Sequence, residues 1–246
     1  MPRKKTSSGS QIQLAPGDFI KHFGIMMGWG ELAHCNLMVE GTTDVQYFEI
    51  ASDLYQKVQG TPLIDADFRV FAVGEGNEGG THGIHERLRQ LSGNLRVDPV
   101  DAEGREIRVV CLMDDDHAGK GTFTLLKNSF KPWQDIFRVQ RVFPTGTRDP
   151  STFGRMWNRV NKEWKDLPCE TEDLIKRDLL DYFVSENANA LKSPVSEIGD
   201  AYHFDFNGYV KPALARFLRK HATLEDILGL VNVLNEFRWL MGLNKC

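Results

Sequence analysis

The stretch Ile107-Arg108-Val109-Val110-Cys111-Leu112-Met113-Asp114-Asp115-Asp116-His117-Ala118-Gly119-Lys120-Gly121 decides the fold. Its apolar run, β-branched at the start, has the pattern of a central strand covered on both faces. Asp114, Asp115 and Asp116 then fall at the C-terminal end, where open α/β sheets place their ligand crevices. Three adjacent carboxylates repel one another unless a cation or strong donors offset them. Hard oxygen ligands of this kind suit Mg²⁺ or Mn²⁺. Asp114 and Asp116 alternate with Asp115, so on an extended chain they point to one side together. A polar turn after a strand is the plainer alternative. A second acidic strand end upstream weighs against it.

That second end is Leu37-Met38-Val39-Glu40-Gly41. The apolar run stops at Glu40, Gly41 permits a sharp turn, and Thr42 or Thr43 can cap a helix over 43–58. Val45, Phe48, Ile50, Ala51 and Leu54 give that helix its apolar face. Asp44 in its first turn either complements the helix dipole or shares a metal with Glu40. We favour the metal, because a glutamate closing a hydrophobic strand needs a partner.

Further strands are expected over 68–74 and 136–143, with helices over 82–92 and 121–130 between them. Strand and helix alternate as in a parallel α/β sheet. Residues 74–80 satisfy G-x-G-x-x-G literally, but Glu75 and Glu78 would repel a pyrophosphate, and no strand ends in an acid about 20 residues on. We read a loop feeding the next helix. His82 and His85, three apart on that helix, read as surface residues because no third ligand accompanies them.

The 246 residues suffice for one large domain or a domain with an appendage. The net charge of −4 gives no global argument for nucleic acid, yet permits a local basic groove. Cys35, Cys111, Cys169 and Cys246 form no C-x-x-C pair, which suggests reduced thiols in a cytoplasmic protein. No apolar run approaches the ~18 residues of a membrane span. The expected organisation is a disordered basic tail (1–15), an α/β core with an N-terminal helix (16–145), and a mainly helical part (146–246) that completes the active site.

In that last part, basic residues (Arg148, Arg155, Arg159) interleave with Trp157 and Trp164. This fits a nucleic-acid-facing surface and equally an amphipathic helix with core tryptophans. Glu170-Thr171-Glu172-Asp173 precedes a helix expected over 173–184, where acids would suit the dipole. A helix carrying Lys211-Pro212 and a final apolar helix or pair over 223–241 follow.

Glu40-Gly41 after one strand and Asp114-x-Asp116-x-Ala118-Gly119 after another, with βαβα alternation between, resemble the TOPRIM domain of topoisomerases, DnaG-type primases and OLD-family nucleases. The resemblance spans about residues 36–145. Glu40-Gly41-x-x-Asp44 is similar to the OLD-type pattern, Glu170-x-Glu172-Asp173 resembles its downstream acidic motif, and Lys211-Pro212-x-x-Ala215 its late lysine motif.

The resemblance implies a TOPRIM-like parallel sheet flanked by helices and a Mg²⁺- or Mn²⁺-dependent nuclease acting on DNA or RNA. Glu40, Asp44, Asp114, Asp116, Glu170 and Glu172 would hold two ions, and Lys211 would stabilise the transition-state phosphate. Lys120, Arg148, Arg155 and Arg159 are the candidate nucleic-acid contacts. A free-standing form without the ATPase implies an effector of anti-phage defence, or a toxin-like protein, beside a separate ATPase or other sensor. The apolar C-terminal helices could pair in a homodimer. The alternative is a non-catalytic TOPRIM module serving as a partner-binding regulatory subunit. Phosphatases of the haloacid-dehalogenase type also use D-x-D, but they want Thr or Val where this chain has Ala118.

Overall fold

A computed structural model describes residues 17–74, 80–97, 99–101, 103–129 and 136–246. The basic tail, most of the G-x-G-x-x-G loop and the side chain of His82 lie outside the described residues. Four parallel strands, β1 (Cys35–Val39), β2 (Phe68–Ala72), β3 (Arg108–Met113) and β4 (Ile136–Arg138), form a sheet of order β2-β1-β3-β4. The helices α1 (Asp18–Met26), α2 (Thr42–Gln59), α3 (Gly80–Val97) and α4 (His117–Ser129) alternate with them. The α/β class expected from the sequence is the class observed.

Alternation along the strands divides the core in two. Cys35, Leu37, Val39, Val110 and Leu112 face one layer; Met38, Val109, Cys111 and Met113 face the other. The second layer is closed by α1, α3 and α4 through Ile20, Ile84, Leu88, Leu91 and Leu126. The first is closed by α2 and by the whole C-terminal part: α5 (Pro150–Val160), α6 (Arg177–Glu186), α7 (Lys211–His221) and α8 (Leu228–Leu240). Segment 146–246 therefore shares a core with the sheet.

Several boundaries differ from expectation. The fourth strand ends at Arg138, short of residue 143. Past Val139 the backbone is satisfied by side chains: Asn161 accepts from the Val142 N–H at 2.9 Å and donates to its carbonyl at 2.7 Å. On α5, Asp149 caps the start by accepting from the Thr152 N–H at 2.7 Å. Phe153 and Trp157, four apart, are buried against Phe137 and Phe237, while Arg155 and Arg159 face solvent. Trp157 is thus a core residue.

The acids at 170–173 do not open a helix. Thr171–Leu174 is a single 3₁₀ turn, Ile175 is extended (φ −94°, ψ 142°), and α6 begins only at Arg177. An antiparallel hairpin, β5 (Ser196–Ile198) and β6 (Ala201–His203), is an addition to the expected elements; Gly199 turns it at φ 64°. Among the described residues no helix is long and apolar enough to cross a membrane.

Candidate metal centre

In-register parallel pairing brings the ends of β1 and β3 side by side, since Met38 lies opposite Cys111. Glu40 and Asp114 follow directly. The Asp114 N–H donates to Glu40 Oε1 at 3.0 Å. Asp44 reaches back from the first turn of α2, where its Oδ2 accepts from the Gly41 N–H at 2.9 Å. It therefore caps its helix, and its carboxylate lies near Glu40 and Glu172.

The 3₁₀ turn at 171–174 supplies the third side. The Thr171 N–H donates to Asp114 Oδ1 at 3.2 Å, and Glu170 and Glu172 flank it. Lys211, first residue of α7, reaches into the group: its Nζ lies 3.0 Å from Glu170 Oε2 and 3.0 Å from Glu172 Oε1. Tyr47, three residues after Asp44 and so on the same face of α2, donates to Glu172 Oε1 at 3.2 Å. Glu172 is 0% exposed, and its Oε2 has no hydrogen-bond partner among the described residues.

Burial dominates the electrostatics. It raises Glu40 from 4.5 to about 7, with Asp44 and Asp116 adding repulsion against the Asp114 N–H and Lys211. It raises Asp44 from 3.8 to about 6, with Glu172 adding to the rise and Lys211 opposing it. Asp114 is pushed well above the ordinary carboxylate range by burial and by the charges of Asp44 and Glu40. Glu170 also rises with burial, against the pull of Lys211. Burial works to deprotonate Lys211, but Glu172, Asp114, Glu170 and Asp44 overcome it and hold the ammonium charged. Five acids thus surround one cation.

The triple-aspartate run splits as alternation requires. Asp115 turns away into an ion pair with Arg138 and lies 3.8 Å from Lys120. Asp116 Oδ1 accepts from the Gly119 N–H at 2.6 Å, capping α4, while its charge still acts on Glu40. A Cβ on Gly119 would stand 2.0 Å from the Asp114 carbonyl oxygen, so the first turn of α4 packs directly on the strand end.

The basic candidates are placed less centrally. Lys120 also donates to the Lys165 carbonyl at 3.2 Å. Arg148 stacks 3.9 Å over the Trp239 ring, and Arg155 donates to Ser151 and Thr152 hydroxyls at 2.9 Å. No hydrogen bond or ion pair among the described residues links Arg148, Arg155 or Arg159 to the carboxylates.

The six expected ligands are suited to hard cations by donor type, and the orphaned Glu172 oxygen is a buried position that a cation would satisfy. Glu170 also groups with two further donors: one ligand atom each from Glu170, His203 and Asp205, all within 4.8 Å of one another. Sequence reasoning missed His203, Asp205, Thr171 and Tyr47. The His-x-Asp spacing at 203–205 was the available signal for the first two. Compared with known families, curated proteins and solved structures, the chain matches none.

Proposed function

We propose that this chain is a divalent-metal-dependent nuclease of the TOPRIM type that its sequence resembles, hydrolysing phosphodiester bonds of DNA or RNA. Its setting would be an anti-phage or toxin-like system with a separate ATPase or other sensor. The observation that carries this reading is the convergence of Glu40, Asp44, Asp114, Glu170 and Glu172, from four separate segments, around the Lys211 ammonium. A purely structural cluster gains nothing from so many desolvated like charges.

Bound ions would supply an ionised water at neutral pH and neutralise charge on the phosphate. Glu40, Asp44, Asp114, Glu170 and Glu172 would hold them, with Asp116 beside Glu40. Tyr47 and Thr171 fix the orientation of Glu172 and Asp114. Lys211 brings a fixed positive charge to the non-bridging phosphate oxygens as they gain charge.

One observation favours the second reading, a non-catalytic module that binds a partner. Lys211 already pairs with two of the five acids at 3.0 Å, which is how a lysine substitutes for an ion. Cleavage of plasmid DNA, single-stranded DNA and total tRNA with Mg²⁺ or Mn²⁺, wild type against Asp114→Asn, separates the two. Metal-dependent cutting that disappears in the variant supports the nuclease. Equal cutting by both overturns it, and silence from the wild type with no metal bound leaves the partner-binding module.

A further inference from the structure

A second group of donors, from the end of β6 and the residues after it, lies next to Glu170 at the start of the 3₁₀ turn. β6 ends at His203, and a tight turn follows in which the Phe206 N–H donates to the Phe204 carbonyl at 3.0 Å. Phe204 and Phe206 go into the core, their rings stacked with centroids 5.8 Å apart. His203 and Asp205, on either side of Phe204, each bring a ligand atom near Glu170.

His203 is only 7% exposed. Its Nδ1 lies 2.7 Å from Asp173 Oδ2, and Asp173 is itself anchored by the Phe204 N–H at 2.9 Å and the Glu170 N–H at 2.9 Å. Nε2 has no hydrogen-bond partner among the described residues. A buried carboxylate that fixes one ring nitrogen and leaves the other free is the outer-shell arrangement of metal-ligating histidines. A ring nitrogen of His203 and an oxygen each of Glu170 and Asp205 already lie within 4.8 Å of one another. Bonds of ~2.1 Å to a tetrahedral ion set donors about 3.4 Å apart, a closure within reach of side-chain rotation.

From this geometry we propose that Glu170, His203 and Asp205 form a separate site for one divalent transition-metal ion of the Zn²⁺ or Mn²⁺ kind, with Asp173 orienting the imidazole. Three protein donors leave at least one position for water or a phosphate oxygen. The imidazole selects against Mg²⁺, which favours oxygen ligands throughout. Two ammonium groups compete with the ion: Lys192 at 2.8 Å from Asp205 Oδ1 and Lys211 at 3.0 Å from Glu170 Oε2. Lys192 is exposed and can swing aside, while Lys211 keeps its pairing with Glu172 at 3.0 Å when Glu170 turns to the ion. Ser193 also donates to Asp205 Oδ2 at 3.4 Å. The site shares Glu170 with the carboxylate centre but does not depend on that centre being catalytic.

The test is Zn²⁺ binding to the full chain by titration calorimetry in excess Mg²⁺, with Co²⁺ absorption as the spectroscopic reading of nitrogen ligation. One equivalent should bind to the wild type and none to His203→Gln. Asp205→Asn and Asp173→Asn should each bind at least about tenfold more weakly. Glu40→Gln, which disables the carboxylate centre, should leave Zn²⁺ binding unchanged. A folded wild type that binds no Zn²⁺ overturns the proposal. So does undiminished binding in His203→Gln or Asp205→Asn, or binding that disappears with Glu40→Gln. Asp205 is half-exposed, so its variant decides the matter if His203→Gln does not fold. Absence of nuclease activity would bear on the phosphodiesterase reading alone.

Discussion

Glu40→Gln should stabilise the protein at neutral and basic pH in chelating buffer. Gln keeps the acceptor for the Asp114 N–H and the volume of the side chain, and removes only the charge. The rise of Glu40 from 4.5 to about 7 corresponds to about 3 kcal/mol at 1.36 kcal/mol per unit. Below the unfolded value of 4.5 the carboxyl is protonated in both states, and the substitution changes little. Between 4.5 and about 7 the folded state holds a proton that the unfolded state has released, so wild-type stability falls as pH rises. Above about 7 the whole penalty is present. Partial exposure and the shared repulsion with Asp44 reduce the gain to about 1–3 kcal/mol, or about 3–10 °C in melting temperature for a chain of this size. Excess Mg²⁺ should narrow or reverse the order, since an ion at 100 times its Kd adds about 2.7 kcal/mol to the protein that binds it. Calorimetric melting of both proteins across pH, with and without Mg²⁺, is the assay. An equal or lower melting temperature for Glu40→Gln at about pH 8, or the same advantage at about pH 4, would refute the reasoning.

Lys211→Met leaves Glu170 and the fully buried Glu172 without their cation, and should cost about 3–5 kcal/mol in urea unfolding without metal; a cost under about 1 kcal/mol would show that the acids do not need it. Gly119→Ala forces a Cβ to 2.0 Å from the Asp114 carbonyl oxygen. About 1–3 kcal/mol of destabilisation and weaker Mg²⁺ binding should follow, and wild-type values for both would mean that α4 does not pack directly on the strand end. Arg155→Ala with Arg159→Ala touches only the exposed face of α5. Stability should stay within about 0.5 kcal/mol. If these arginines neutralise phosphates, the salt slope of duplex-DNA binding should fall by about 0.9 for each phosphate left unpaired; an unchanged slope removes α5 from the interface.

The strand ends are legible because local rules specify them. A short apolar run that stops at an acid, residues 37–39 before Glu40 or 109–113 before Asp114, can be recognised wherever it occurs. Their adjacency requires only the parallel pairing that strand–helix alternation implies. The chain beyond residue 145 is harder to read. Trp157 could face solvent or core, and the four-residue spacing to Phe153 that buries both says nothing of which helix face meets the sheet. The acids at 170–173 suggest a helix start, since nothing local marks Ile175 as extended; that conformation comes from packing against α8, where a Cβ on Gly229 would stand 2.3 Å from the Leu174 carbonyl oxygen. His203 escapes local reasoning because its two partners, Asp173 and Glu170, lie about thirty residues away on another element.

That division explains how the centre is held. Glu40, Asp44 and Asp114 are placed by the sheet and by α2, and three desolvated acids there repel one another. The turn at 170–173 adds two more carboxylates, which by themselves would worsen the balance. Only α7, docked on α2 late in the chain, introduces the ammonium that offsets them, and the Tyr47 hydroxyl on α2 lies 3.2 Å from both a Glu172 carboxylate oxygen and the Lys211 carbonyl oxygen. The acidic turn and the lysine are therefore useful only together: either without the other leaves uncompensated buried charge. Pairing Lys211→Met with Glu172→Gln tests this directly, because the double variant should recover at least about 1–3 kcal/mol of the stability that Lys211→Met removes. Strict additivity of the two substitutions would break the argument.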